Sequence, residues 1–363
     1  MCDFNNFPLY SSQYQILHKI GHGVMSDVYA ARCIPNGQLC AIKIINLDTV
    51  ELNISQFRRG ISFWATSKHP NLVQYYCSFV VDSSLWIVME YMDGGSSSDI
   101  MEYGFAHGFK DETLIATIVK NVLEFLEYFH SNHLIHRKIQ PSNILFSEKG
   151  EIKVGNLSLS AGLIQEGIRK VGRTSSLSQT CYLAPEVLQG KPYTEVSDIW
   201  SLGVTISEFA KGIKSLGFKS EMEQIKSIET GSFKRLVLML IDDSFSDQLR
   251  EFIDLCLTNS PDKRPTAKAL LSHKFLKKAR DSRYITTTLM NQVLPLDRRF
   301  EILHGKDIHP QEKQKCNHKN IDFNFNPDDD FEKKSNAPQQ NEYSTVKLGR
   351  FTVVRKVMLD KNA

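Results

Sequence analysis

Residues 136–143 read His-Arg-Lys-Ile-Gln-Pro-Ser-Asn, a stretch with an imidazole, a guanidinium, an ammonium and two amides but no carboxylate. Proton abstraction from a hydroxyl needs a group that can accept the proton. The ammonium of Lys138 cannot accept one, and its charge is opposite to that of a carboxylate base. Further along, Asn156 keeps the shape of an aspartate. It lacks the charge needed to hold a hard divalent cation against its hydration shell. His304 and His309 have a spacing that zinc sites use, with Cys316 and His318 just beyond. No paired cysteines accompany them, so they read as solvated side chains and no metal site is expected.

The elements around these residues change character along the chain. Alternating apolar residues and turn signals predict strands over Tyr14–Ile20, Val28–Cys33, Leu39–Asn46, Val73–Val81 and Leu85–Tyr91, with Pro35-Asn36-Gly37 as a hairpin turn. A helix over Ser55–Thr66 interrupts them. From Asp111 the period turns helical, with Leu114, Ile118, Val122, Phe125, Leu126 and Phe129 on one face. Helical patterns dominate from Thr194 to Ala279. At 363 residues and 41% hydrophobic content, the chain is long enough for a sizeable core. A net charge of +3 argues for neither nucleic acid nor a membrane surface as partner. Seven scattered cysteines form no CxxC pair, and no apolar run is long enough to span a bilayer. A cytoplasmic protein is expected, with the nucleus as a further location.

Six ordered motifs over about 260 residues resemble those of the protein kinase superfamily. Gly21-His22-Gly23 before Val28 resembles the glycine-rich loop, and Ala41-Ile42-Lys43 resembles the strand that carries the phosphate-binding lysine. His136–Asn143 resembles the catalytic loop, and Ala184-Pro185-Glu186 the end of an activation segment. Asp198–Gly203 resembles the buried helix of the second lobe, and Arg264 the arginine that pairs with Glu186. The fold implied is α+β and bilobal, with a small, mostly β N-lobe (14–93) containing one αC helix and a larger, mostly α C-lobe (94–277). Residues 1–13 form an N-terminal extension, 278–304 a C-terminal extension, 305–343 a polar segment expected to be disordered, and 344–363 a docking segment. His69–Val73, Tyr75–Phe79 and Leu114–Tyr128 are similar to the Sterile-20 group and its Fray/SPAK branch. That group also contains the STRAD pseudokinases, which are adaptors.

The resemblance implies that Ile20, Gly21, Gly23, Val28, Ala41, Lys43, Met89, Glu90, Met92, Asn143 and Leu145 line a nucleotide site. ATP is then the cofactor to consider, held without magnesium or with weak magnesium. The same comparison marks departures. Lys138 stands at the base, Gln140 at the phosphate-neutralising lysine, Asn156 at the metal-binding aspartate, Gly60 at the αC glutamate and Gln179 in the substrate-positioning triplet. Glycine at position 60 also predicts a weakly formed αC helix, since it costs about 1 kcal/mol relative to alanine. Arg137 and Ser175 are candidates for activation-segment regulation. Trp64, Tyr75, His136 and Leu157 resemble the hydrophobic spine, anchored by Asp198.

In the tail, Arg350-Phe351-Thr352-Val353 resembles the Arg-Phe-x-Val docking peptide of WNK kinases, and Arg350, Phe351 and Val353 are its anchors. A strand packing on the chain's own lobe is the competing reading. The departures together lead to the expectation of a protein without catalysis: an adaptor or allosteric regulator whose partners are an active Ser/Thr kinase and a helical-repeat scaffold. The alternatives are a divergent ATP-binding Ser/Thr kinase of the Sterile-20 group with residual phosphotransfer, and a nucleotide-sensing switch.

Overall fold

The structure is a computed structural model that describes residues 7–23, 26–47, 54–157, 161–162, 164–165, 168–169, 180–212, 221–305, 321–324, 343–348 and 351–356. The chain divides into two compact units. The architecture is α+β, with a sheet-rich N-terminal part and a mostly helical C-terminal part.

The first unit is built on a five-stranded antiparallel sheet of order β1-β2-β3-β5-β4: β1 Tyr14–Gly23, β2 Ser26–Cys33, β3 Leu39–Asn46, β4 Tyr75–Val81 and β5 Ser84–Met89. Tyr14, Ile16, Ala31, Cys33, Ile42, Phe79, Trp86 and Val88 bury one apolar cluster on it. Alternate residues of each strand face that cluster, which fixes the register, because a one-residue slip would turn the whole set outward. Gly37, at φ 69°, closes the β2–β3 hairpin where a side chain would be strained.

The second unit contains α1 (Ile54–Thr66) and the chain from Met92 to Leu303. The helix thus groups with the larger unit and not with the sheet of 14–93. It is also well formed, contrary to the expectation from Gly60. Trp64 is 1% exposed and its indole N–H donates to the Val73 carbonyl at 2.7 Å. Ile61 is buried beside it. Burial of these two large side chains outweighs about 1 kcal/mol of glycine propensity.

The short strand β6 (Gly95–Ser96) precedes α2 (Ser97–Gly104) and α3 (Glu112–Ser131). All six residues predicted on the apolar face of α3 are buried, and Asp111 caps its N-terminus by accepting from the Thr113 N–H at 2.8 Å. Then come β7 (Leu134–Ile135), β8 (Ile144–Phe146), β9 (Ile152–Val154), β10 (Ala161–Gly162), β11 (Ile164–Gln165) and β12 (Ile168–Arg169). Helices α4 (Pro185–Leu188), α5 (Val196–Lys211), α6 (Glu221–Glu229), α7 (Phe233–Leu240), α8 (Asp247–Cys256) and α9 (Ala267–Leu271) follow. The C-terminal extension forms α10 (Ser282–Thr288) and α11 (Leu296–His304), tied down where Arg299, 1% exposed, donates to the Gly94 carbonyl.

Within 305–343, expected to be disordered, Ile321–Asn324 forms a strand, β13. It pairs with β15 (Phe351–Lys356), which also pairs with β14 (Tyr343–Leu348). Backbone pairing supplies the order that the polar composition did not predict. No helix among the described residues is long and apolar enough to cross a membrane.

Candidate active site

In the second unit, the loop after β7 is held by one carboxylate. Asp198, in the first turn of α5 and 1% exposed, accepts the backbone N–H of His136 on one oxygen and that of Arg137 on the other, both at 2.8 Å. His130, at the end of α3, adds a contact from Nε2 at 2.9 Å. Burial alone would raise the Asp198 carboxyl, but the His130 hydrogen bond and the charges and amides around it hold it below its usual value. Two amides fixed on one anion account for Arg137 adopting φ 68°, a backbone state costing about 1–3 kcal/mol.

His136 is fully buried, and burial pulls its pKa down to about 4. The ring is therefore neutral at pH 7. Its Nε2 lies 3.1 Å from the Gly155 carbonyl and its Nδ1 lies 3.2 Å from the Lys138 N–H. Those partners assign the proton to Nε2, which donates, and leave Nδ1 as acceptor. The Arg137 guanidinium meets the Tyr193 hydroxyl and lies 5.4 Å from the centre of that ring.

Lys138 is half-buried, and desolvation lowers its pKa. Among the described residues no carboxylate forms an ion pair with it. Gln140 is buried and its amide donates to the Ser142 hydroxyl. A short 3-10 turn, Pro141–Asn143, leads into β8. Asn143, 6% exposed, donates from Nδ2 to the Lys138 carbonyl at 2.7 Å. Its Oδ1 accepts from Asn156 Nδ2 at 3.1 Å. Asn156 itself sits at φ 68°, in the left-handed region that asparagine tolerates better than most residues. Gly155 follows β9 and donates its N–H to the Asn143 carbonyl at 2.9 Å.

This donor set does not suit magnesium. The two positions that the resemblance assigns to metal ligands are neutral amides, and the Asn143 oxygen is already taken by the Asn156 amide N–H. No cluster of three or more His, Cys, Asp or Glu side chains fit to hold a metal ion exists among the described residues. A hard cation favours anionic oxygens, and none is offered on this loop.

The other residues that the resemblance assigns to a nucleotide site are spread over both units. In the first unit, Gly21 pairs with Val28 and Gly23 with Ser26 across β1 and β2, and Ile20 precedes them. A Cβ on Gly21 would lie 3.3 Å from the Val28 Cβ, tighter than most such contacts. Lys43 pairs with Val28 on one side and Ile87 on the other, and Ala41 pairs with Met89. Glu90 accepts the Gln74 N–H at 3.0 Å. In the second unit, Met92 and Leu145 flank β6, with Leu145 paired to Ser96. Trp64, His136 and Leu157 are buried in the second unit and Tyr75 in the first. Gly60 is buried in α1, a helix with no acidic residue. Gln179, Ser175 and Arg350 lie outside the described residues, while the backbones of Phe351 and Val353 belong to β15.

Three participants escape sequence reasoning. His130 and Tyr193 reach Asp198 and Arg137 from 68 and 56 positions away, so no local spacing marks them. Asp27, in β2, forms an ion pair with Lys19 at 3.1 Å and meets His22 Nδ1 at 2.7 Å; burial is the largest single effect and would raise its carboxyl, but the His22 and Lys19 contacts together hold it below its usual value. The sequence does contain a signal for that one, since Lys19, His22 and Asp27 converge once β1 and β2 are paired.

Away from the loop, Arg264 and Glu186 form the expected pair. Two parallel hydrogen bonds of 2.8 and 3.0 Å join them, both side chains being almost fully buried.

The protein kinase domain family matches residues 14–276. The chain is 33% identical over 309 residues to serine/threonine-protein kinase fray2 of Dictyostelium discoideum, covering 82% of this chain and 29% of that protein. It is 32% identical over 309 residues to germinal center kinase 3 of Caenorhabditis elegans, covering 80% and 51%. It is 38% identical over 264 residues to serine/threonine-protein kinase dst1 of Dictyostelium discoideum, covering 73% and 34%. The chain thus spans about half or less of the length of these relatives, which are Sterile-20-like. They correct the expectation of a protein that is no enzyme: proteins similar over most of this chain carry the name of serine/threonine kinase.

Proposed function

This chain belongs to the protein kinase family, and from that premise we propose that it is a divergent Sterile-20-group serine/threonine kinase that binds ATP and transfers phosphoryl groups slowly. The observation that carries the reading is the preserved loop frame, in which Asp198 fixes His136 and Arg137 through their backbone amides. Phosphoryl transfer asks for little covalent chemistry from the protein, and catalysis rests on positioning and electrostatic stabilisation. A loop held in place therefore keeps part of its catalytic value after the base is gone.

Loss of a general base removes about 10²–10⁴-fold in rate. Loss of a divalent ion removes further stabilisation of developing charge. Kinases typically turn over at about 1–100 s⁻¹, so a rate near or below about 10⁻² s⁻¹ is expected. ATP supplies the phosphoryl group when bound. The chain's own part that the test probes is Lys43, on β3 of the first unit, paired with Val28 and Ile87.

The test is incorporation of labelled phosphate into serine and threonine of a generic basic-protein acceptor over hours, with Lys43→Ala run beside the wild type. Slow incorporation, lost in Lys43→Ala, is the result expected. Equal signals from the two proteins would overturn the proposal.

A further inference from the structure

Strand β4 lies at the edge of the five-stranded sheet and is bonded on one side to β5. Ser78, Phe79 and Val80 are successive residues, so they point to both faces of the sheet, and all three are buried. The N-terminal segment adds cover, with the Phe7 ring stacked 4.1 Å from that of Tyr76. Pairing with β5 and burial of both faces leave the outer edge of β4 as its open side. A row of N–H and C=O groups along such an edge is a template for another strand, and native proteins cover it.

The tail brings a strand to that place. His304–Ala363 groups with the first unit, and within this unit β13 lies against β4. Strand β13 is itself the edge of a three-stranded sheet of order β13-β15-β14. Two edge strands are therefore neighbours. Strand β15 has the opposite position, at the centre. Thr352 pairs with Asn324 and Lys347, and Val353 pairs with Phe323 and Val346. The stretch that the sequence marks as a docking peptide thus has both of its sides taken. An extended peptide added to a partner's sheet is held by main-chain hydrogen bonds along an open side. Strand β15 offers none while β13 and β14 hold it.

We infer that the outer edge of β4 is a strand-docking surface whose occupant is this chain's own tail, and that the docked tail keeps Phe351–Lys356 closed to partners that bind extended peptides. Release of the tail frees the β4 edge and β15 together. The inference does not rest on the catalytic reading and survives if that reading fails.

The experiment compares the full chain with the double variant Thr352→Pro/Val353→Pro. Successive N–H groups of a strand point to opposite sides, so the two prolines remove one ladder bond toward β13 and one toward β14. Thr352→Ala/Val353→Ala keeps both N–H groups and is the control. Amide hydrogen exchange is followed by mass spectrometry. Trypsin, which takes its substrate as an extended strand, probes access to Arg355.

The wild type and the alanine control should protect Tyr75–Val81 and resist cleavage after Arg355. The proline variant should exchange Tyr75–Val81 about tenfold faster and be cut about tenfold faster. Exchange in β1, β2 and α3 should stay within about twofold of the wild type, which shows that the variant is folded. Loss of protection over Tyr343–Lys356 in that variant, with Tyr75–Val81 unchanged, would overturn docking on β4. Exchange of Tyr343–Lys356 in the wild type at the rate of an unstructured peptide would overturn the closure of β15, whatever the variant does.

Discussion

At the scale of single residues, two buried acids behave differently, and each gives a prediction. Glu186 is paired in full with Arg264. Replacing it by glutamine leaves a buried guanidinium without its counter-charge, which costs about 3–5 kcal/mol. Chemical denaturation of Glu186→Gln should show a lowered midpoint with little change in slope. Glu208 is buried and accepts from the Tyr182 hydroxyl at 2.7 Å, with no cation paired to it among the described residues. Burial raises its carboxyl from the ordinary 4.5 to about 7, against that hydrogen bond. A raised acid is a liability once it ionises. Its contribution to stability is fully present below about pH 4.5 and is lost as pH rises through about 7. The melting temperature of the wild type should therefore carry a downward component between pH 5 and 8 that Glu208→Gln removes. A profile of the same slope in the variant would show that Glu208 is not its source.

Legibility at this scale followed sequence distance. Lys138, Asn143 and Asn156 could be picked out because the loop is one short motif. The engagement of Arg137 by Tyr193, and of Asp198 by His130, depends on residues that only tertiary packing brings near. The hydrogen bond from Asn156 to Asn143 is equally hidden, since nothing in either local stretch places the other beside it.

Elements show where local preference yields to packing. Gly60 argued against α1, yet Trp64 and Ile61 bury enough apolar surface to hold it. Ile321–Asn324 looked unstructured by composition and is a strand, because pairing with Phe351–Lys356 is not written in its own residues. The amphipathic face of α3 was legible in full, since a helical period over twenty residues leaves little room for another assignment. Helix α5 supplies a test of the same balance. Alanine in place of Gly203 gains about 1 kcal/mol of helix propensity. Its Cβ would stand 2.7 Å from the Cys256 Cβ and 2.9 Å from the Leu257 Cδ2, both on or beside α8. Overpacking of that kind costs about 1–3 kcal/mol and decides the sign. Gly203→Ala should lower the thermal midpoint; a rise would mean that α5 and α8 separate more easily than these distances allow.

Over the whole molecule, the motifs conveyed the fold because six of them, in order, leave no other arrangement of sheet and helices. They conveyed activity less well. A missing carboxylate was read as missing chemistry, and proteins similar over most of this chain are named kinases. The reconciliation we propose is that positioning survives on the loop frame that Asp198 holds through the His136 and Arg137 amides. That account is tested most directly by single-turnover phosphotransfer, with enzyme in excess over labelled ATP, followed in magnesium and in EDTA. It predicts slow formation of phosphoserine or phosphothreonine in both, lost in Lys43→Ala. Product no greater than in Lys43→Ala under either condition would contradict it.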